Sequence, residues 1–405
     1  MAKRGQKLAV FGGINIFLLS LVSLLNDFSS EMIAPILPLL ITGLGGTGLI
    51  IGLIGGMIDG LPNLLKVFSG YLSDRAGKRK KFVFSGYFIS EFSKFMLFFA
   101  GTWKGILIFM GFNKLGKGIR DAPRDALIAE SLPREKGRGF GIQRAFDTTG
   151  AILGSVSVLL LVIFFSLEFK KIIIIAALLG FLSLIPLYFL KEPYRRSIKP
   201  GKKIDILMSL RNMDGKLKIF ILSAGIFALA NFSYMFFVLK SASLFKFSFL
   251  GSQNPFVVPI MLYVLFNIFY AIFAIPFGKL SDSLGRRKII LAGYLLFAFV
   301  CFGFLFFSSF YAFIALFIIY GLVYALVVSN QRAIVADLSP ARFYGTALGA
   351  FQTTIGIAAI ISGVIAGLLF DINPSMTFVY GIVLSLIASF VLLLSYRKYP
   401  TKIEK

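Results

Sequence analysis

Apolar segments alternate with short polar turns along almost the whole chain. Most apolar segments span about 20 residues or more, which is enough to cross a ~30 Å hydrocarbon core as one α-helix. They occur at about 12–41, 47–72, 82–101, 104–132, 139–165 and 171–190, and again at about 217–239, 257–281, 289–307, 311–338, 344–370 and 378–395. The pattern predicts an all-α polytopic membrane protein with 12 transmembrane helices.

One polar turn occurs twice, each time between the second and third predicted spans of a half. The turns that begin at Gly70 and Gly278 share the frame G-x-L-S-D-x-x-G-(K/R)-R-K. Ala126–Pro133 also matches Ala333–Pro340 at nearly the same offset. A repeat this long indicates two homologous halves. We expect pseudo-symmetric six-helix halves over 1–190 and 217–405, joined by a basic cytoplasmic linker over 191–216.

Composition agrees with a membrane protein and gives its orientation. The chain has 405 residues, is 58% hydrophobic and has a mean hydropathy of +0.87, above what soluble proteins show. The formal net charge of +24 comes from Lys and Arg concentrated in turns on one predicted side, the pattern of a cytoplasmic face. We therefore expect a multi-pass protein of the cell (cytoplasmic) membrane, with both termini cytoplasmic and no nucleic-acid partner.

Residue usage also limits the chemistry. The chain has one cysteine, Cys301, and no histidine, so a proton relay must use Asp or Glu, and neither a disulfide framework nor a Cys- or His-based metal centre is possible. The sequence contains no nucleophile–base arrangement and no phosphate-binding glycine loop. We expect no enzymatic activity, no cofactor and no metal, and an ion gradient as the energy source.

The two halves and their duplicated turn resemble the major facilitator superfamily, in particular its drug-efflux members. A fourth-span pattern of that superfamily, R-x-x-Q-G, is approximated by Lys114–Gly118, and its fifth-span antiporter pattern by Gly141, Gly150 and Gly154, with Ser155 replacing the proline. The resemblance implies two parallel halves with a substrate site between them near mid-membrane. It favours an antiporter that exports a small-molecule substrate.

Charged residues within the predicted spans are the candidate working groups, because charge in a bilayer is costly. Asp27 and Glu31 share one face of the first span, ~21 Å and ~15 Å below its outer end. Lys117 and Arg120 lie at matching depths of the fourth span. A carboxylate beside a cation stays ionised, and losing that cation favours protonation. We expect proton coupling at Asp27, Glu31 and Asp59; a static ion-pair network is the alternative.

The other candidate residues fall into two groups. The expected substrate cavity consists of Lys114, Lys117, Arg120, Asn231, Tyr234, Gln331 and Arg332. The expected gating or structural residues are Gly70, Asp74, Arg75, Gly77, Arg79, Arg124, Asp125, Arg144, Asp147, Gly278, Asp282, Gly285 and Arg286. Arg144 and Asp147 are three residues apart, which allows an intrahelical ion pair.

These observations predict a monomeric secondary active transporter that works by alternating access, as a proton-coupled exporter. Because the fourth-span candidates are basic, ion-coupled uptake of an anionic nutrient is the alternative within transport. A membrane receptor or an intramembrane enzyme on the same scaffold is the alternative outside it.

Overall fold

The computed structural model describes residues 2–132, 135–192, 214–246, 254–340 and 344–398. The described residues are mostly helical, and ten helical spans, some of them interrupted, are long and apolar enough to cross a membrane. Two more long helices, at Arg79–Leu97 and Trp103–Ser131, carry many charged residues. The protein is therefore an all-α, multi-pass membrane protein. Most of the predicted linker lies outside the described residues.

The chain forms two compact units. As far as their residues are described, the first covers Met1–Gly45, Leu61–Lys202 and Leu250–Asn254, and the second covers Gly46–Gly60, Lys203–Phe249 and Pro255–Lys405. The boundary falls within one long helix, so the short segment Gly46–Gly60 packs with the second unit.

The helices of the first half are α1 (Ala2–Ile33), α2 (Leu37–Gly43), α3 (Gly48–Ala76), α4 (Arg79–Leu97), α5 (Trp103–Ser131), α6 (Lys136–Phe165), α7 (Phe169–Leu182) and α8 (Leu184–Phe189). In the first unit, α4 packs along α5, and α1 packs along both α6 and α7. A buried core that includes Leu19, Val83 and Leu127 joins α1, α4 and α5. This packing places the charged faces of α1 and α5 in one unit.

The helices of the second half are α9 (Gly215–Ala230), α10 (Met235–Leu244), α11 (Val257–Leu284), α12 (Arg286–Phe306), α13 (Phe310–Asp337), α14 (Tyr344–Ile372) and α15 (Pro374–Lys398). In the second unit, α13 packs on α11 and α12, and α15 packs on α9 and α12. Aromatic rings in edge-to-face contact fill this core, with Phe232, Phe297 and Phe378 among them. The second unit therefore has an aromatic core.

Glycines bring the first part of α3 against α14. Gly48, Gly52, Gly56 and Gly60 recur every four residues, and a Cβ on any of them would overlap atoms of α14. Small residues at this spacing allow helix backbones to approach closely in a membrane. The N-terminus of α3 is also capped, because the backbone N–H groups of Gly48 and Leu49 donate to the Asp371 carboxylate (2.5 and 2.8 Å).

Three predicted spans are interrupted rather than continuous. The first breaks at residues 34–36, where Pro35 lacks a backbone N–H, and the sixth breaks at Ser183, close to Pro186. The predicted seventh span, 217–239, ends as α9 at Ala230 and restarts as α10 at Met235. This last break contains neither Pro nor Gly, and its residues 231–234 contribute to the candidate site.

Candidate functional site

Asp27 of α1 lies among polar groups from two other helices. The side-chain amide of Asn26 donates a hydrogen bond to it (Nδ2–Oδ1, 2.7 Å), and its carboxyl group lies next to that of Asp147 on α6. Lys117 and Arg120 of α5 are close enough to interact with it electrostatically. The carboxylate on α1 and the cations on α5, which the sequence places at matching depths, therefore belong to one group in the first unit.

Asp147 completes this group. Its Oδ1 accepts a hydrogen bond from Gln143 Nε2 (3.3 Å), and its Oδ2 lies 3.2 Å from Arg144 Nη1, the intrahelical pair that the spacing allows. Two adjacent ionised carboxylates repel each other, and they can share a hydrogen bond only when one of them carries a proton. From the sequence alone, Asp147 is expected to have a gating or structural role, because spacing within α6 carries no information about α1.

The cations of α5 have different surroundings. Arg120 is buried, and its guanidinium carbon lies 3.9 Å from the centroid of the Tyr87 ring on α4. Its Nε is 3.9 Å from Asp121 Oδ1, and Nε and Nη1 have no hydrogen-bond partner among the described residues. Asp121 in turn pairs with Lys66 of α3 (3.0 Å). Arg120 thus has buried donors that point to no acceptor.

Two further candidates lie next to this group along their own helices. Glu31 follows Asp27 by one turn on α1, and Lys114 precedes Lys117 by one turn on α5; each is half-buried. Glu31 is packed against Gly154 of α6, where an added Cβ would be 3.1 Å from its own Cβ. Both residues extend the charged faces on which Asp27 and Lys117 lie.

Arg124 and Asp125 form an ion pair at the next turn of α5 (Nη2–Oδ1, 3.0 Å). Arg124 Nη1 also lies 3.4 Å from Ser23 Oγ on α1, and Gln143 Nε2 lies 3.2 Å from the same hydroxyl. These contacts join α1, α5 and α6 beside the carboxyl pair. They fit the expected structural role of this part of α5.

A buried ion pair outside the predicted site residues lies on α4. Glu91 Oε2 and Lys94 Nζ are 2.9 Å apart, and their side chains are 0% and 2% exposed. Lys94 also donates to Ser29 Oγ (2.9 Å) and Ser30 Oγ (3.2 Å) of α1. The pair fastens α4 to α1. The mid-span position of both charges was visible in the sequence, but their partners on α1 were not.

In the first unit, the duplicated turn connects the end of α3 to the end of α5. Arg79 pairs with Asp74 on one side and with Glu130 on the other, at 2.5 and 2.7 Å. Gly77 has a φ of 61°, a conformation that glycine adopts without steric cost. Arg75 is exposed at the end of α3.

The second unit forms the same bridge with a different arginine. Arg286 lies 3.0 Å from Asp282 and 3.1 Å from Asp337, the residue that aligns with Glu130. In the shared frame, however, Arg286 aligns with Lys78 rather than with Arg79. Gly285 has a φ of 93°. The two turns also differ at the first glycine of the shared frame. Gly70 packs near Ala122, whereas Gly278 has open space beside it.

The cavity and coupling candidates in the second unit are spread over two helices and one interruption. Gln331 donates a hydrogen bond to the hydroxyl of Tyr294 (2.9 Å), and Arg332 is exposed. Asn231 and Tyr234 flank the interruption between α9 and α10. Asp59, on the part of α3 that belongs to this unit, is exposed. Among the described residues, no group of three His, Cys, Asp or Glu side chains could hold a metal ion.

Comparison with known proteins agrees with this architecture. The sequence profile of the Major Facilitator Superfamily matches residues 19–263 and 252–405. The chain is 48% identical over 379 residues to the MFS-type transporter MJ1317 of Methanocaldococcus jannaschii, covering 94% of each chain. It is 27% identical over 291 residues to the multidrug resistance protein MdtG of Rahnella, covering 69% of this chain and 68% of that protein.

Solved structures show the same fold at low sequence identity. The nucleoside transporter NupG superimposes with a TM-score of 0.75 over 96% of this chain and 100% of that one, at 14% identity. The matched proteins are transporters, which removes the basis for the receptor and enzyme alternatives. The profile match over both halves, the 48% identical relative and the shared fold together show that this chain is a membrane transporter of the major facilitator superfamily.

Proposed function

We propose that the protein is a proton-coupled exporter of small organic molecules in the cell membrane, working as a monomer by alternating access with both termini cytoplasmic. The observation that carries the proposal is the close approach of the carboxyl groups of Asp27 and Asp147, two residues on different membrane-spanning helices. Such a pair binds one proton readily, because two adjacent carboxylates repel each other when both are ionised.

The surrounding cations make this proton responsive to a conformational change. Lys117 and Arg120 stabilise the ionised form of Asp27 while they lie near it. A movement of α5 relative to α1, or an anion that occupies the cations, would leave the carboxyl pair less compensated and favour protonation. Glu31, one turn along α1 from Asp27, and Asp59, within the long helix α3, are further candidates for protonation.

Liposomes that contain the purified protein test both the coupling and its direction. Exchange predicts that a substrate accumulates when the lumen is made acidic, because protons leave as substrate enters. Asp27→Asn and Asp147→Asn should each abolish this proton-driven accumulation. Glu135→Gln, which alters an exposed carboxylate paired with Arg138, is the matched control and should leave it unchanged. Proton-driven flux that persists in the Asp27→Asn/Asp147→Asn variant would exclude a coupling role for these two residues. Flux that only a sodium gradient drives would show that sodium, not the proton, is the coupling ion.

Ion-coupled uptake of an anionic nutrient is favoured by one specific observation. Arg120 is buried with two donor atoms that have no hydrogen-bond partner among the described residues, and such donors are suited to a carboxylate or phosphate group. Co-transport predicts the opposite gradient dependence, with accumulation of an anion when the lumen is alkaline. The same liposomes therefore distinguish the two functions.

A further inference from the structure

The ammonium group of Lys94 lies among oxygen atoms from two helices of the first unit. Its Nζ is 2.9 Å from Glu91 Oε2 on α4 and 2.9 Å from Ser29 Oγ on α1. Ser30 Oγ lies at 3.2 Å, and the backbone carbonyl oxygen of Asn26 lies at 3.4 Å. These four oxygens form the Lys94 cage. An ammonium group carries three N–H donors, so the oxygens outnumber the donors that they surround.

The Lys94 cage is enclosed by protein and depends on a cation for its balance. The side chains of Glu91 and Ser29 are fully buried, and Asn26 is buried as well. A Cβ on Gly180 would overlap both Glu91 Oε2 and Ser29 Oγ, so α7 packs directly on the cage. Apart from the ion pair, both oxygens of Glu91 lack a hydrogen-bond partner among the described residues, and so does Asn26 Oδ1. The ammonium group is therefore the partner on which this carboxylate depends.

The charges in and around the Lys94 cage suit a cation with a single charge. Glu91 is the one carboxylate of the cage, and the other three oxygens are neutral. Outside the cage, Asp27 and Arg120 both interact electrostatically with Lys94, and their effects oppose each other. Without the ammonium group, one buried negative charge would lack compensation, which is costly. Carboxylate, hydroxyl and carbonyl oxygens are also the ligands of hard cations.

We propose that the Lys94 cage is a monovalent-cation site whose occupant is the protein's own ammonium group. The lysine side chain attaches this cation to α4, while three oxygens of α1 bind it, so a dissolved sodium ion is not needed at this place. The inference rests on the proposed function and deepens it, because it gives a structural reason for coupling to protons rather than to sodium. A variant that lacks the ammonium group and its aliphatic chain should bind sodium or lithium there instead.

Thermal unfolding of the full-length protein in a nonionic detergent tests this site without requiring transport. Lys94→Ala removes the ammonium group and leaves space for an ion, whereas Lys94→Met removes the charge but fills the space with an apolar chain. The buffer contains sodium, lithium or choline chloride at the same ionic strength, and the fluorescence of Trp103 reports the midpoint. Choline is larger than an ammonium group and has no N–H, so it controls for general screening by salt.

An ion that binds only the folded state stabilises it in proportion to its occupancy. The midpoint of Lys94→Ala should therefore be about 2 °C or more higher in sodium or lithium than in choline, and the shift should saturate as the ion concentration rises. The midpoints of wild type and Lys94→Met should differ by less than about 1 °C between the salts. Glu91→Gln/Lys94→Ala lacks the carboxylate of the cage and should lose the sodium response. Lys171→Ala, at an exposed ion pair with Glu168, is the matched control and should respond as wild type does.

Two results would overturn the proposal. One is a Lys94→Ala variant whose midpoint is the same in all three salts, and the other is an equal sodium response in wild type or in Glu91→Gln/Lys94→Ala. Where Lys94→Ala does not elute as the same monodisperse species as wild type, Lys94→Asn takes its place under the same criteria, because it leaves a smaller gap and adds an amide oxygen. Failure of both variants to fold in sodium and in lithium counts against the site, since a bound ion should replace the lost charge.

Flux measurements on wild type in liposomes keep this result separate from the proposed function. If Lys94→Ala has no sodium response but wild type shows proton-driven flux, the cation site fails while the proposed coupling stands. If Lys94→Ala gains the sodium response but a sodium gradient drives flux by wild type, the cation site stands and the proposed coupling fails.

Discussion

Replacing Lys94 by methionine removes the ammonium group that lies 2.9 Å from the buried carboxylate of Glu91. At that distance two unit charges attract by about 6 kcal/mol for an effective dielectric constant of about 20. The pair also bears the cost of burying both ions, so its net contribution is smaller. Removing one partner of a buried pair nevertheless costs about 3–5 kcal/mol, because the other charge stays buried without compensation.

The surroundings of the pair make the two single replacements unequal. Lys94 also donates to Ser29 and Ser30 of α1, so it keeps two hydroxyl acceptors when Glu91 becomes glutamine. Both oxygens of Glu91, by contrast, have no hydrogen-bond donor among the described residues other than the ion pair itself. Lys94→Met should therefore cost more stability than Glu91→Gln. The double variant should cost about 2 kcal/mol or less, since no buried charge remains.

Unfolding in mixed micelles with increasing mole fraction of sodium dodecyl sulfate measures these differences, with the fluorescence of the single tryptophan, Trp103, as the signal. Lys171→Met is the matched control. It removes a lysine from an exposed ion pair (Lys171 Nζ–Glu168 Oε1, 3.5 Å) and should change the free energy of unfolding by less than about 1 kcal/mol. The reasoning would be refuted if Lys94→Met unfolded at the same detergent fraction as Lys171→Met, or if the cost of the double variant equalled the sum of the single costs.

Three further predictions concern helix contacts and the duplicated turn. Asp371→Ala should lower unfolding stability by about 1 kcal/mol, as loss of an N-terminal helix cap does, and Asp371→Asn should restore part of it; the same detergent titration measures both. Gly363→Leu should lower the yield of monodisperse protein in size-exclusion chromatography, because its side chain would overlap the backbone of Gly52; wild-type elution would contradict the close approach. Arg79→Gln should lower the thermal midpoint more than Arg286→Gln, because the first arginine side chain is 9% exposed and the second 28%; the reverse order would be inconsistent with the two bridges as described.

Much of the fold follows from local sequence. The hydropathy pattern correctly predicts a polytopic all-α protein, and the resemblance carried by the duplicated turn is confirmed by the family profile. Breaks at Pro35 and Pro186 have a local cause, since proline removes a backbone donor. The break at 231–234 has a weaker local cause. Asparagine and serine side chains compete with the backbone for hydrogen bonds, but both residues also occur inside helices, so their presence does not predict a break.

That Asp27 and Lys117 lie at matching depths of long helices follows from the sequence alone, because hydrophobicity and helical rise are properties of one segment at a time. The fold, in contrast, is needed to show that Asp147 lies beside Asp27 and that Arg286 rather than Arg287 bridges the second turn. Each of these contacts depends on the rotation of one helix against another. That rotation is set by close packing at glycines and aromatic rings over many residues, so no single segment encodes it.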